Sequence, residues 1–450
     1  MEITLRQVQR RKDLRTYIFL PEKIHARHPN WMPPLFMDEW TYYNPRKNKA
    51  FSYCDTLLLL AYRGERPVGR IMGIIHHPYN AAQGLRTVRF AHFDCFEDEE
   101  VARVLLKAVE EWGREKGMNE IVGPFGFSDK DPEGFMVEGF DKMPILVTNT
   151  NLPYMPRFME TFGYAKKLDC LDFMMDIRPG GIPDKYPALF DRVNANGKVW
   201  VREFSSKKEL RPYIPHVFYL INETYKDLYG FVPLDDREIG EMVDRYLPIL
   251  DVRFVKIAVD NDDKVVGFIV GLPNMTPGIQ RARGRLLPLG ILHILQAARS
   301  AKQLDLMLGA VHADYRGRGI NILMGWLLIQ SARKAGVERF ETHLVLESNR
   351  PMLAEYEKMG AKPHKRFRIY TKTLASQALP FFQHRAEILP LPGLESSVVF
   401  RAPDGGKLYE VSPEVTGHIL LDFSDIRIVQ PIEGKNDVLR NVFKGQHLKR

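Results

Sequence analysis

The stretch from Ala313 to Asn321 reads Ala-Asp-Tyr-Arg-Gly-Arg-Gly-Ile-Asn and lies between an apolar strand-like run, Leu304 to Val311, and a long helical pattern, Ile322 to Lys334. A strand that delivers glycine-rich backbone into the first turn of a helix leaves several N–H groups unpaired and pointing one way, which suits phosphate or pyrophosphate. Gly317 and Gly319 let such a ligand approach closely. One loop of this kind is weak evidence, since most glycine-rich hexamers are ordinary strand-to-helix turns. Further on, Glu341, His343, Val345 and Glu347 alternate to one side of a strand read over Phe340 to Leu346, and Thr342, Leu344 and Leu346 take the other. A buried polar row is costly unless hydrogen-bonded, so that side either lines a wet site or faces solvent.

These residues need a scaffold, and the chain supplies two. In the first half, Thr56 to Tyr62 and Val68 to Ile75 read as a hairpin across Arg63 to Pro67, and Val88 to Phe96 as a third strand. Asp98 to Lys116 carries apolar residues at Val101, Val104, Leu105, Ala108, Val109 and Trp112, the spacing of an amphipathic helix, with Gly117 at its end. Arg178-Pro-Gly-Gly-Ile-Pro183 breaks either periodicity and marks a boundary. Beyond it come a strand from Val199 to Phe204, helices over Lys207 to Lys226 and Asp236 to Tyr246, and a hairpin of Phe254 to Val259 with Val265 to Leu272. The Leu304 strand, the glycine loop and its helix, the Phe340 strand, another helix and a closing strand near Lys365 to Lys372 complete the order. The chain is therefore expected to be α/β with domains at 1–177 and 184–374, the first repeating the second at low similarity, and a β-rich extension at 375–450.

The Arg-Gly-Arg-Gly-Ile-Asn run resembles the acyl-CoA loop of the GNAT N-acyltransferase superfamily; Arg316 and Gly319 match, and Asn321 departs. Glu347-Ser-Asn-Arg-Pro-Met-Leu-Ala-Glu-Tyr-Glu-Lys-Met-Gly360 resembles its second signature, an Asn followed by a Tyr and then a Gly. Trp31-Met-Pro-Pro-Leu35, Val68-Gly-Arg-Ile71, Gly123-Pro-Phe-Gly-Phe-Ser128, Gly134 to Asp141 and Lys365 to Tyr370 look like signatures of the tandem-GNAT, YghO-like family, over residues 1 to 374. The resemblance implies tandem GNAT domains with mixed central sheets flanked by helices. It also implies acyl-CoA, acetyl or long-chain, as co-substrate and an amine as acceptor. Since the family includes bacterial ceramide synthases, a sphingoid long-chain base is the acceptor it points to most specifically. An acetyltransferase for a small soluble amine and a non-catalytic acyl-CoA-binding scaffold are the alternatives.

In such a site pantetheine would pair with the strand edge at Gly309, Ala310 and Val311. Arg316, Gly317, Arg318, Gly319, Ile320 and Asn321 would hold the pyrophosphate. Asn349 would cap the next helix and could touch the cofactor. The reaction is attack of a neutral amine on a thioester, which needs positioning, removal of a proton and stabilisation of an oxyanion. Glu341 leads the candidates for general base, followed by Glu347 and His343, with His312 another; each could equally be a hydrogen-bonded structural group. Tyr356 stands where many GNAT enzymes carry a Tyr that protonates the departing thiolate, or it packs. In the first repeat the matching turn reads Phe93-Asp-Cys-Phe-Glu-Asp-Glu-Glu100, which complements a helix dipole but would repel a pyrophosphate. Donor binding therefore belongs to the second repeat, and Gly123 to Asp141 is the first repeat's candidate active-site loop.

Composition agrees with a globular protein: 450 residues, 45% hydrophobic and 27% charged, with a net charge of +8. No run is apolar for about 18 residues, so no membrane-spanning helix is expected. The N-terminus lacks a secretory h-region, and Cys54, Cys95 and Cys170 form neither a disulfide framework nor a metal pattern. No metal is expected, and the expected setting is cytoplasmic, with peripheral contact at the inner face of the membrane. The positive charge comes with no nucleic-acid-binding signature, which argues against a nucleic-acid partner. Residues 278 to 302 join a basic start, an apolar run from Leu286 to Leu295 and a basic end, which suits either an interfacial helix on anionic lipid or a helix covering the sheet. Ser397 to Val411 reads as a hairpin turning at Asp404 to Gly406, and Gly417 to Val429 as further strand.

Overall fold

A computed structural model describes residues 2–195 and 197–374, and the backbone of two short strands at 398–401 and 408–411. The chain divides into a unit Met1–Leu374 and a second unit Ala375–Arg450. In the second, Val398–Arg401 pairs antiparallel with Leu408–Val411. The expected turn at Asp404 to Gly406 and the strand from Gly417 to Val429 lie outside the described residues.

The period-two runs of the first unit form one 14-stranded mixed sheet. Its strands are β1 (Ile3–Gln7), β2 (Cys54–Arg63), β3 (Arg66–His76), β4 (Thr87–Cys95), β5 (Glu120–Gly123), β6 (Phe135–Glu138) and β7 (Ala165–Asp176) from the first half. The second half supplies β8 (Val199–Arg202), β9 (Val255–Asp260), β10 (Val265–Pro273), β11 (Gln303–Val311), β12 (Arg339–Thr342), β13 (Val345–Leu346) and β14 (Lys362–Thr373). β3 is buried along most of its length, as its near-continuous apolar sequence requires of a strand covered on both faces. In each half, antiparallel strands lead to one parallel pair, β4 with β5 and β11 with β12. Helices flank both faces. The helix Glu99–Glu115 is capped by Asp98, whose carboxylate accepts from Val101 N, and buries Val101, Leu105 and Val109. The expected continuous helix from Lys207 to Lys226 is instead Lys207–Leu210, a tight turn Arg211–Tyr213 and Ile214–Thr224, because Pro212 and Pro215 lack the amide that would carry one helix through.

The sheet order runs β5-β14-β7-β12. Each half thus completes its sheet with the other's strand: β14 lies against β5, β7 against β12, and the two pair with each other along Lys362–Thr371 and Ala165–Met174. A buried charge cluster joins the same strands. Lys365 of β14 lies 3.1 Å from Asp172 Oδ2 on β7, forms an ion pair with Glu341 on β12 and donates to Met143 O at 2.8 Å. The side chains of Lys365 and Asp172 are 0% exposed and that of Glu341 2%. Gln303 extends the cluster, donating to Glu341 at 2.6 Å and to Asp305 at 2.9 Å. Burial pushes the Asp305 carboxyl up to about 7 and raises that of Asp172, which Lys365 pulls back down.

Removing the cation would leave Asp172 and Glu341 buried against each other. Lys365→Met should lower the unfolding free energy by about 3–5 kcal/mol, read from urea denaturation, with part recovered when Glu341→Gln is added. A loss below about 1 kcal/mol would show that the cluster does not hold the two halves together.

Candidate active site

The parallel pairing of β11 with β12 ends at Leu306 and Thr342, after which His343 N donates to Leu306 O at 2.8 Å. At the next residue β11 bulges: Leu306 faces Gly271 of β10 and Leu308 faces Val270, so Met307 is the extra residue. β11 then continues to Val311 along β10, while β13 lies on β7. Between them the β11 edge has no strand partner. The N–H and C=O of Gly309 both meet the hydroxyl of Tyr225, which donates to the oxygen at 2.9 Å and accepts from the nitrogen at 3.4 Å. Val311 O accepts from Arg316 Nε at 3.3 Å. Ala310 faces away, packed toward the helix Ile214–Thr224. Tyr225 is the C-cap residue of that helix, and nothing in its sequence context marks it.

Past β11 the chain makes one tight turn, Ala313–Tyr315, and enters the helix Ile320–Lys334. The amides of residues 317–321 have no acceptor among the described residues. Gly317 has φ +75° and open space where a Cβ would stand, so ligand can reach its backbone. Gly319 also has positive φ, yet a Cβ there would meet Val193 Cγ2 at 2.5 Å, so this glycine serves packing as well. Arg316 and Arg318 are exposed, the latter 5.0 Å over the Tyr315 ring, and Ile320 is buried. Asn321 donates to Glu355 at 2.8 Å. Asn349 caps the helix Arg350–Lys358, accepting from Met352 N at 3.4 Å.

The row expected from Glu341 to Glu347 does not form. Between Glu341 opposite Met174 and Val345 opposite Leu171, three residues of the second half face two of β7, and this extra residue reverses the alternation. Leu344 and Leu346 therefore share the Cys170 side. Glu347 instead accepts from Asp169 N at 3.0 Å and pairs with Lys166 at 2.8 Å. Glu341 is taken by Lys365 and Gln303. His312 lies 3.0 Å from Glu223 through Nε2 and accepts from Asp314 N through Nδ1, beside a surface groove of about 640 Å³. His343 has a buried Nε2 with no partner, and burial holds its pKa down to about 4, partly offset by hydrogen bonds to the Val147 and Leu146 backbone. Tyr356 packs 5.5 Å from the Phe173 ring, close enough to Tyr225 for their charges to interact, and burial raises its pKa. Of the expected site residues, Gly309, Val311 and the 316–321 loop follow one another along the parted β11 edge, His343 stands where β12 leaves that edge and Tyr356 lies near Tyr225, whereas Glu347 is held by Lys166 and Asp169 N and His312 by Glu223.

The first half offers no second donor site. β4 and β5 also part, after Arg89 and Val122, but Phe125 N bonds Phe90 O at 2.8 Å and Arg89 donates to Gly126 O and Phe127 O, so the 123–128 segment fills the gap. The N-terminus of the helix Glu99–Glu115 is closed by Asp98, itself paired with Arg63 at 2.8 Å. The first half also braces the stretch that follows Tyr225: Lys130, just past this segment, donates to Val232 O at 2.9 Å, and Tyr79 of the helix His77–Gln83 accepts from Gly230 N at 3.1 Å. Within this segment Glu133 is a buried carboxyl that sequence patterning did not single out.

Residues 218–361 match the acetyltransferase (GNAT) family model. The chain is 30% identical over 372 residues to the bacterial ceramide synthase of Caulobacter vibrioides, covering 80% of this chain and 95% of that one. It is 27% identical over 372 residues to protein YghO of Escherichia coli, covering 81% and 94%. Among solved structures, a tandem GNAT protein from the clavulanic acid biosynthesis pathway aligns with 14% identity over 83% of this chain and 99% of that one, at a TM-score of 0.47.

Tyr225 occupies the backbone groups that a donor would pair with. Tyr225→Phe removes a competing hydrogen bond, so CoA should bind roughly 2–10-fold tighter by calorimetry. Weaker binding would mean that the hydroxyl contacts the donor rather than standing in for it.

Proposed function

We propose, from the premise that this chain belongs to the GNAT acyltransferase family of bacterial ceramide synthase and YghO, that it transfers a long-chain acyl group from acyl-CoA to the amine of a sphingoid base. The observation that carries the reading is the open β11 edge at Gly309 leading into five unpaired amides at residues 317–321. The amides and the exposed Arg316 and Arg318 suit a pyrophosphate, and the edge suits the amides of pantetheine. Once Tyr225 yields, Gly309 N–H can donate to the thioester oxygen, where negative charge develops during attack. Tyr356, at the same opening, is the candidate proton donor to the leaving thiolate.

The lipid acceptor rests on two supports. One is the name of the Caulobacter relative, a ceramide synthase. The other is the helix Gly290–Arg299 with the turn before it. Leu287, Leu289, Ile291, Leu292 and Leu295 are between 46% and 73% exposed, and the exposed Arg281, Arg283, Arg299 and Lys302 lie beside them. The opposite side of the helix, Ile294 and Ala298, packs with Met275, Ile279, Leu146 and Met307. The packed side of this helix thus shares an apolar cluster with Met307, the bulge residue of β11, while the leucines on its other side face outward. Such a face suits peripheral contact with anionic lipid, from which a long-chain substrate could enter. No helix among the described residues is long and apolar enough to cross a membrane.

The direct test incubates the protein with sphinganine and acyl-CoAs of two to eighteen carbons, following thiol release and amide by mass spectrometry. Long-chain amide is the expected product. Turnover confined to acetyl-CoA with water-soluble amines would replace the lipid reading with a small-molecule acetyltransferase, and donor binding without turnover would replace it with a scaffold. For the membrane face, the triple variant Leu287→Ser, Leu289→Ser, Leu292→Ser should lose at least about tenfold in sedimentation with phosphatidylglycerol vesicles. CoA affinity should be unchanged in this variant. Equal sedimentation would remove the membrane role.

A further inference from the structure

Acyl transfer needs a group to deprotonate the acceptor, which arrives as an alkylammonium of pKa about 10. The candidates read from the sequence are spoken for: Glu341 by Lys365 and Gln303, Glu347 by Lys166 and Asp169 N, and His312 by Glu223. We infer that Glu133, contributed by the first half, receives the acceptor's amino group and takes its proton. The inference deepens the acyl-transfer reading above and rests on it.

Glu133 is 9% exposed, and its Oε2 has no hydrogen-bond partner among the described residues. An unpaired buried carboxyl oxygen is costly, and a native fold retains one only where something compensates. Its other oxygen lies 3.5 Å from Cys170 Sγ on β7. Cys170 stands opposite Leu346 of β13, the strand that forms one wall of the opening. The turn carrying Glu133 is fixed on several sides. Asp131 accepts from Phe127 N at 2.6 Å, Gly134 N donates to Pro124 O at 2.9 Å, and Asn149 donates to Gly134 O at 2.6 Å. Lys130 ties it to Val232, downstream of Tyr225. The carboxyl is therefore held rigidly against β7, beside the strand β13 that borders the opening.

The charged and titratable groups around Glu133 are Asp129, Lys130 and Asp131 on its own loop, Arg89 on β4, Cys170 on β7 and Tyr229. Lys130 pairs with Asp129 at 3.2 Å, so the loop's two carboxylates are matched by two cations and the counter-charge for an incoming ammonium is Glu133 itself. Burial first, then Asp129, pushes the Glu133 carboxyl up to about 8. His343, a buried imidazole whose Nε2 also lacks a hydrogen-bond partner among the described residues, is held down to about 4. A proton leaving an alkylammonium climbs far less to reach Glu133 than to reach His343, and a general base works best with a pKa near the working pH.

The Glu133 carboxylate takes one proton from the ammonium, leaving a neutral amine. The nitrogen lone pair forms the C–N bond at the thioester carbon, the C–S bond breaks, and its electron pair leaves on sulfur. Tyr356 protonates the thiolate and is reprotonated by the second nitrogen proton, giving amide and CoA thiol, and Glu133 returns its proton to solvent.

Glu133→Gln keeps the shape and the thiol contact while removing the base. The expected kcat/KM for long-chain amide falls by about 10²–10⁴, with CoA affinity within twofold of wild type. Wild-type kcat/KM should rise with pH through a limb near about 8, absent from Glu133→Gln, kept by His343→Gln and partly restored in Glu133→Asp. Stability supplies the fold control. A carboxyl whose folded pKa is raised binds an extra proton in the native state, so wild-type stability declines as pH rises from the unfolded value, near 4.5, through about 8. Glu133→Gln should then match wild type in Tm at pH 5 and exceed it at pH 9. A folded Glu133→Gln within threefold of wild type, or loss of the limb in His343→Gln instead, overturns the inference. Wild-type protein that forms no amide with any donor overturns the acyl-transfer reading itself.

Discussion

A lysine ammonium with no exposed surface holds the centre of this molecule. Lys365 lies on β14 with Asp172 and Glu341 as its counter-charges, and those three residues come from three adjacent strands of different origin along the chain. Desolvating such a group is tolerated only when the partners are close and the remaining donors and acceptors are satisfied. Met143 O, Gln303 and the Asp172 contact to Lys365 N meet that requirement. The cluster therefore fixes register as well as order: a slip of one residue would send Lys365 to the opposite face and leave two carboxylates buried. With β14, β7 and β12 locked together, the parting of β11 from β13 is a defined opening rather than a loose edge.

The opening follows from two extra residues. Met307 bulges β11 away from regular pairing with β10, and the extra residue between Thr342 and Leu344 turns the neighbouring strand onto β7. Unpaired backbone inside a protein needs partners, and the Tyr225 hydroxyl supplies both of them at Gly309. The same chemistry that makes the edge receptive to pantetheine makes it costly to leave bare. A tyrosine that can withdraw reconciles the two demands.

Much of this was legible in the sequence, and the limits have physical causes. The hairpin of β2 and β3, the helix 99–115 and the β11–loop–helix unit were readable because their periodicities are local and their caps are chemically explicit, as at Asp98 and Asn349. The Glu341 to Glu347 row misled because period two holds only in an unbroken strand, and a one-residue bulge leaves no signature in side-chain types. The pairing of β7 with β12 and of β14 with β5 was equally silent, since strand neighbours far apart in sequence are chosen by packing and not by local pattern. Lys365 stood inside a family signature, yet its burial could not be read there. Glu133 lay inside the Gly123 to Asp141 loop without being singled out, Tyr225 lacks periodic or motif context, and the two became visible only through an unpaired oxygen and a contact to backbone.

The asymmetry between the halves gives the first one a purpose beyond support. Its own strand gap is filled by Phe125 and the segment around it, and its helix N-terminus is closed by Asp98. The closing segment, freed from phosphate binding, runs on through Asp129, Lys130 and Glu133 to the other half's opening, pinned to Val232 beyond Tyr225 and to Cys170 beneath. On the proposed reading, two copies of one fold divide a single reaction's needs. The second would present backbone to the thioester and the pyrophosphate, where glycine and strand edge are required. The first would present a buried carboxyl, where rigidity and exclusion of water are required. Neither demand is easily met by one loop, because a chain open enough to expose its amides to a ligand is too exposed to keep a carboxyl dry.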